Sequence, residues 1–241
     1  MIVANLATVA ATGESALRVT GATGSVEADW LLVHKLARHL MASGIAGLTT
    51  TTPTYESVLV EFDPLQTTCQ EMAEVVTDVI PTLDLTSPLT DEPRHFRVPV
   101  LYGGTLGPDL DEVAHFTGLS AAEVITAHSG PRYTVRCLGA PGGSPMLDGP
   151  AALLGVPRLS SPRTRVPQGA VSLAGRQATI TPAVAPGGWC VIGRTPYTLL
   201  DLTREPLVPY APGDTLSFEP ITELQFSELA GRRLTPEDEA A

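Results

Sequence analysis

The chain has 241 residues, a formal net charge of −11, 43% hydrophobic residues and only 5% aromatic ones. That charge excludes a nucleic-acid or anionic-membrane partner held by bulk electrostatics, and no apolar run reaches the length of a membrane-spanning helix. The length suits one large domain or two smaller ones.

Met1 leads into no charged region followed by a long apolar run, so no leader peptide is expected. Cys69, Cys137 and Cys190 are isolated and lack metal-type spacing, which fits reduced thiols in a cytoplasmic protein. The five histidines form no paired-ligand motif, and no metal is expected.

In chain order, residues 16–21 alternate as a first strand. Residues 27–43 are a helix, since Val33, Leu36, Ala37, Leu40 and Met41 share one face, with Ser25 as N-cap and Gly44 past the end. His34 and His39 sit off that face and are expected to be solvated. Residues 45–52 and 57–63 are strands, the second presenting Val58, Val60 and Phe62 together. A helix over 68–80 carries Met72, Val75, Val76, Val79 and Ile80. A proline-bearing linker over 81–93 precedes a strand over 94–102. The order β-α-β-β-α-β predicts a ferredoxin-like α+β domain over residues 1–102, with no catalytic residue in it.

The second half is punctuated by glycine and proline. Gly103-Gly104-Thr105-Leu106-Gly107-Pro108-Asp109 is a flexible loop, and Asp109 with Glu112 has capping-box spacing. Ser120 with Glu123 repeats it and opens a helix toward His128 and Ser129. A glycine loop entering a helix is also able to bind an anion through free N–H groups. Short strands are expected over 133–137, 170–174, 177–181, 189–192, 197–202 and 215–220, which predicts a mainly-β barrel or sandwich over 103–226 and a tail over 227–241.

The segment 139–167 reads as a loop carrying Arg158, Arg163 and Arg165 in an otherwise acidic chain. Those arginines form either an anion pocket or a solvated loop paired with surface carboxylates. Pro186-Gly187-Gly188 is a turn before a buried strand, with Gly193 permitting close approach and Arg194 at the strand's end. No G-x-S-x-G elbow, phosphate-binding loop or dinucleotide fingerprint is present.

Val98-Pro99-Val100, Tyr102-Gly103-Gly104, Gly107-Pro108-Asp109-Leu110, His128-Ser129, Arg163, Arg165-Val166-Pro167, Pro186-Gly187-Gly188-Trp189 and Ile192-Gly193-Arg194-Thr195-Pro196 stand in an order that resembles the KipI / allophanate hydrolase subunit 1 family. Gly13-Glu14-Ser15 and Pro53-Thr54-Tyr55-Glu56-Ser57 extend the resemblance into the first half. It implies an N-terminal ferredoxin-like domain and a C-terminal cyclophilin-like β-barrel. It also implies a hydrolase component, the B component of an ATP-dependent 5-oxoprolinase. Its partners would be an allophanate hydrolase subunit 2-type protein (the C component) and an A-type component, with ATP bound here or by a partner. Alternatives within the resemblance are an inhibitor of a sensor histidine kinase and a carboxyltransferase-type domain of a urea carboxylase system.

By the same resemblance Arg163, Arg165 and Arg194 hold anions. His128 and Gln177 handle protons or orient the amide, and Tyr102 and the backbone of Gly104 line the site. The chain departs from the family's aromatic run at Ala140, Ser144 and Met146, which removes three rigid rings.

Overall fold

The computed structural model describes residues 2–3, 6–149 and 154–237, which divide into two compact units, 1–91 and 92–241. In the first, strands β1 (Ile2–Val3), β2 (Ala7–Ala11), β3 (Ala16–Gly21), β4 (Leu48–Pro53) and β5 (Ser57–Phe62) form one antiparallel sheet ordered β1-β2-β3-β5-β4. Helices α1 (Val26–Ala42) and α2 (Cys69–Val79) accompany it.

The helix faces come out as the periodicity predicts. Leu32, Val33, Leu36, Leu40, Met72 and Val76 meet Leu17, Val19, Val58 and Val60 in one core. Each such side chain contributes about 1.5–3 kcal/mol on burial. Ser25 caps α1 by accepting from the Ala28 N–H, and Thr68 with Glu71 forms a full capping box on α2.

Two expectations are corrected here, and one strand that no expectation covered is added. Ala7–Ala11 is a strand, although ATVAA offers only small residues and one valine to signal it. His34 is 2% exposed, its Nε2–H donating to the Thr54 carbonyl at 3.0 Å, because α1 is covered on more than its principal apolar stripe. The strand expected to complete this domain, β6 (His95–Tyr102), instead belongs to the barrel, and the first unit ends at Asp91. Phe96, Val98 and Val100 enter the barrel core while Pro99 is buried as well, so the strand needs cover on both faces. The position beside β3 is filled by β2.

The second unit is a closed seven-stranded barrel ordered β10-β11-β8-β7-β14-β6-β13. Its further strands are β7 (Tyr133–Gly139), β8 (Ser144–Asp148), β10 (Ala170–Ala174), β11 (Gln177–Ile180), β13 (Cys190–Arg194) and β14 (Thr215–Pro220). β14 pairs with β6 in parallel and with β7 antiparallel. Two further strands, β9 (Arg163–Val166) and β12 (Ala185–Gly187), form a separate ribbon. Phe96, Tyr133, Val135, Leu147, Leu173, Ile180, Ile192 and Phe218 are among the side chains that fill the interior. Helices α3 (Leu110–Thr117), α4 (Ala121–Ser129) and α5 (Glu223–Leu229) complete the unit.

The segment expected as a loop thus contains β8 and β9, which its glycines and prolines concealed. Trp189 precedes β13 instead of starting it. Residues 197–202 are not a strand: Thr198 makes one isolated bridge to Arg233, and the Asp201 carboxylate closes a turn on the Thr203 N–H. The tail boundary expected at 226/227 falls inside α5, which Thr222 and Gln225 open with a capping box.

Candidate functional site

The turn after β6 is locked onto β13 by backbone. The Gly103 N–H donates to the Ile192 carbonyl at 3.0 Å, and the Asp109 N–H donates to the Val191 carbonyl at 3.0 Å. A Cβ on Gly107 would stand 2.1 Å from the Ile192 carbonyl oxygen, so this close approach admits only glycine.

The approach delivers the Asp109 carboxylate to the head of α3, where the sequence predicts an N-cap. The cap is not made. Oδ2 accepts instead from the Val191 N–H at 2.7 Å and from Arg163 Nη1 at 2.8 Å, while Oδ1 accepts from Arg163 Nη2 at 2.6 Å. Asp109 is 4% exposed. A bidentate guanidinium and a backbone N–H satisfy a carboxylate far better than a helix terminus does, which is why the cap loses. The hydrogen bonding to Asp109 is also the main cause that raises the Arg163 pKa above its ordinary value.

Arg163 reaches this point because β9 pairs with β12, with Gly187 opposite Arg163. Beside the pair lies a cleft of about 460 Å³ lined by Glu112, Phe116, Arg158, Ser161 and Cys190 among others. Arg158 is exposed there and has no ion pair among the described residues. The Cys190 thiol approaches the Pro157 carbonyl at 3.6 Å, and burial first, then Asp109 and Glu112, pushes its pKa up to about 11. It is therefore a protonated thiol at neutral pH, with no nucleophilic character. Two carboxylates, Asp109 and Glu112, face two guanidiniums, Arg158 and Arg163, leaving the lining without surplus charge.

Tyr102 and His128 are brought together, with the Tyr102 hydroxyl 2.7 Å from His128 Nδ1. His128 is 0% exposed, the Tyr133 hydroxyl donates to its carbonyl at 2.7 Å, and Phe218 lies with its ring centroid 4.3 Å away. Burial lowers the His128 pKa to about 3 and raises that of Tyr102. The imidazole is neutral and enclosed, and Nε2 has no hydrogen-bond partner among the described residues. The expectation that His128 handles a proton on a substrate is corrected: no face of the ring is open to one.

The remaining expected residues do not converge on the cleft. Gln177 begins β11 opposite Asp148 and is half-buried. Gly104 sits in its turn at φ +54° with open space at the Cβ position. Arg165 is exposed on β9, two residues beyond Arg163. Arg194 ends β13, donates through Nε to the Gln168 carbonyl at 2.8 Å, and lines a different, smaller cleft. Ala140, Ser144 and Met146 lie around the β7–β8 turn, outside the lining of the larger cleft. Sequence reasoning missed Asp109, Glu112 and Cys190 as one cluster. The only local sign was an Asp-x-x-Glu that a helix cap explains equally well.

The family model "Carboxyltransferase domain, subdomain C and D" matches residues 7–210. The B component of 5-oxoprolinase from Bacillus subtilis (strain 168) is 31% identical over 209 residues, covering 81% of this chain and 85% of the relative. The crystal structure of TTHA0988 superposes with a TM-score of 0.73 at 31% identity, covering 87% of this chain; the present chain spans 40% of that one. Kluyveromyces lactis urea carboxylase, at 16% identity, shares the fold with a TM-score of 0.74 over 96% of this chain and 24% of its own. The chain belongs to the carboxyltransferase C and D domain family, within the KipI / allophanate hydrolase subunit 1 group.

Proposed function

We propose that this chain is one component of an ATP-dependent, 5-oxoprolinase-like complex that cleaves a lactam or related amide, with the barrel contributing the substrate cleft. The observation that carries the reading is the likeness to the B component of a 5-oxoprolinase across 81% of the chain. The cleft beside Arg163 supports it chemically. Asp109 fixes the guanidinium plane of Arg163, which pre-orients its remaining N–H groups for a carboxylate, and the exposed Arg158 lines the same cleft as a second cation. Glu112, in the lining of the same cleft, offers a carboxylate to accept an amide N–H of the same small ligand.

ATP supplies activation of the amide oxygen in such a reaction. The balanced charge of this cleft offers nothing to offset a triphosphate, which favours an ATP site on a partner, the A-type or the C-type component. In this reading the first unit is a ferredoxin-like domain with β2 in place of a final strand, and the barrel is cyclophilin-like. In this reading the protein works in the cytoplasm. Among the described residues no helix is long and apolar enough to cross a membrane.

The test is coexpression with an allophanate hydrolase subunit 2-type protein and an A-type component, followed by measurement of glutamate released from 5-oxoproline with ATP. The reading requires turnover that Arg163→Met abolishes while the complex still assembles. An assembled but inactive wild-type complex, combined with tight binding to a histidine kinase dimerisation domain, selects the inhibitor alternative.

A further inference from the structure

Helix α5 (Glu223–Leu229) runs for seven residues, and not one of them is buried. A helix this short is marginal in water and ordinarily draws its stability from an apolar face packed on the rest of its fold. Here the capping box of Thr222 and Gln225 starts the helix, while its two inward apolar side chains, Phe226 and Leu229, remain only half-buried. Gln225 and Leu229, one turn apart, face a cleft of about 380 Å³ shared with Pro99, Tyr197 and Ile221. Phe226 and Ala230, also one turn apart, face the cleft of about 240 Å³ shared with Tyr197 and Thr198. The helix thus stands off the barrel on both of its inner flanks.

Its outward side carries an apolar side chain among carboxylates. Leu224 is 70% exposed, with Glu223 beside it and Glu228 one turn further on. Neither glutamate has an ion pair among the described residues. Over residues 219–237 the carboxylates are Glu219, Glu223, Glu228 and Glu237, and the guanidiniums are Arg232 and Arg233. Arg97 neutralises Glu237, and Asp201 neutralises Arg233. That leaves Glu219, Glu223 and Glu228 against Arg232, with Arg97 only grazing Glu219 at 4.0 Å. Two such acidic faces repel each other, and the whole chain carries −11, so a second copy of this chain is a poor occupant.

We infer that the outward face of α5 docks on another protein component of the complex, at an apolar socket for Leu224 rimmed by lysine or arginine side chains. The socket supplies the apolar burial that α5 lacks within its own chain, and the basic rim compensates Glu223 and Glu228. The clefts on either flank of the helix leave room for side chains of that rim. The inference rests on the multi-component reading above, but not on the reaction assigned to it.

The test combines the full chain with the allophanate hydrolase subunit 2-type protein and the A-type component, and reads hydrogen exchange of the α5 amides in the free chain and in the complex. The inference requires exchange over residues 223–229 to slow by about tenfold or more on assembly. Leu224→Asp, with unchanged far-UV circular dichroism, weakens assembly by about tenfold or more. The double variant Glu223→Lys, Glu228→Lys weakens it too and flattens its decline with rising salt. Three results overturn the inference: unchanged α5 exchange with parent-like assembly of Leu224→Asp, a dimer of the free chain that Leu224→Asp dissociates, or a chain that neither component binds. A complex with α5 protected but no glutamate released sinks the proposed reaction and leaves the surface standing. Turnover in a complex whose α5 is unprotected does the reverse.

Discussion

Each unit is stabilised internally by its own kind of interaction. The first rests on an aliphatic core laid down by regular stripes, in which Leu36 and Leu40 of α1 meet Val58 and Val60 of β5. The barrel has an apolar interior as well, part aliphatic and part aromatic, but it adds buried polar ties between distant points of the chain. Asp109 joins Arg163 and Val191, Asp214 joins Arg94, and His128 joins Tyr102. The difference teaches that a stripe tolerates gradual loss, whereas a polar tie fails completely when one member is removed, because the survivor stays buried and unpaired.

The sharpest way to break this comparison is Asp109→Ala, which strands the Arg163 guanidinium and the Val191 N–H. We expect the barrel to lose about 3–5 kcal/mol, read from hydrogen exchange of its core amides. A loss of less than about 1 kcal/mol would show that the tie adds little to what packing already provides. In the first unit, Leu36→Ala at a fully buried position is expected to cost about 2–4 kcal/mol through transfer and cavity terms. The exchange rates of amides in β3 and β5 measure it. Third is Gly107→Ala, whose Cβ meets the Ile192 carbonyl. A destabilisation of about 1–3 kcal/mol with displaced β13 amide shifts is expected, and an unchanged spectrum would refute the close approach.

His128 sharpens the comparison through pH. Its folded-state pKa, about 3, lies below the ordinary value of 6.5. The unfolded chain therefore binds the extra proton first as pH falls. Stability is full above about pH 6.5 and declines toward pH 3, with a limiting slope of about 1.4 kcal/mol per pH unit. His128→Phe should flatten the melting temperature between pH 6 and pH 4 relative to the parent, while lowering it at pH 7 because the Tyr102 hydroxyl loses its partner. An identical pH profile in parent and variant would locate the acid sensitivity elsewhere.

What the sequence reveals divides along the same line. The face of α1, the capping boxes at Thr68 and Ser120 and the alternation in β5 are all local, and each is legible within a dozen residues. Asp109 misleads because an Asp-x-x-Glu has a local use, while its actual partner lies 54 residues on. His34 misleads in the same way, since its acceptor at Thr54 sits beyond an intervening strand. β6 looks like the close of the first domain because nothing within it names β14 as its neighbour. The order of motifs indicates the family, yet it gives no distances, and Arg163 and Arg194 prove to face different clefts.

The parallel pairing of β6 with β14 has a consequence for synthesis. His95 meets Thr215 and Val100 meets Pro220, so one edge of β6 stays bare until about residue 220 has been made. During translation the first unit has all its strands in hand by Phe62 and its second helix by Val79. The barrel, by contrast, waits for the emergence of more than a hundred further residues. For that interval Phe96, Val98 and Val100 form an open apolar edge on the nascent chain, the kind of surface that chaperones shield and that seeds association when they do not.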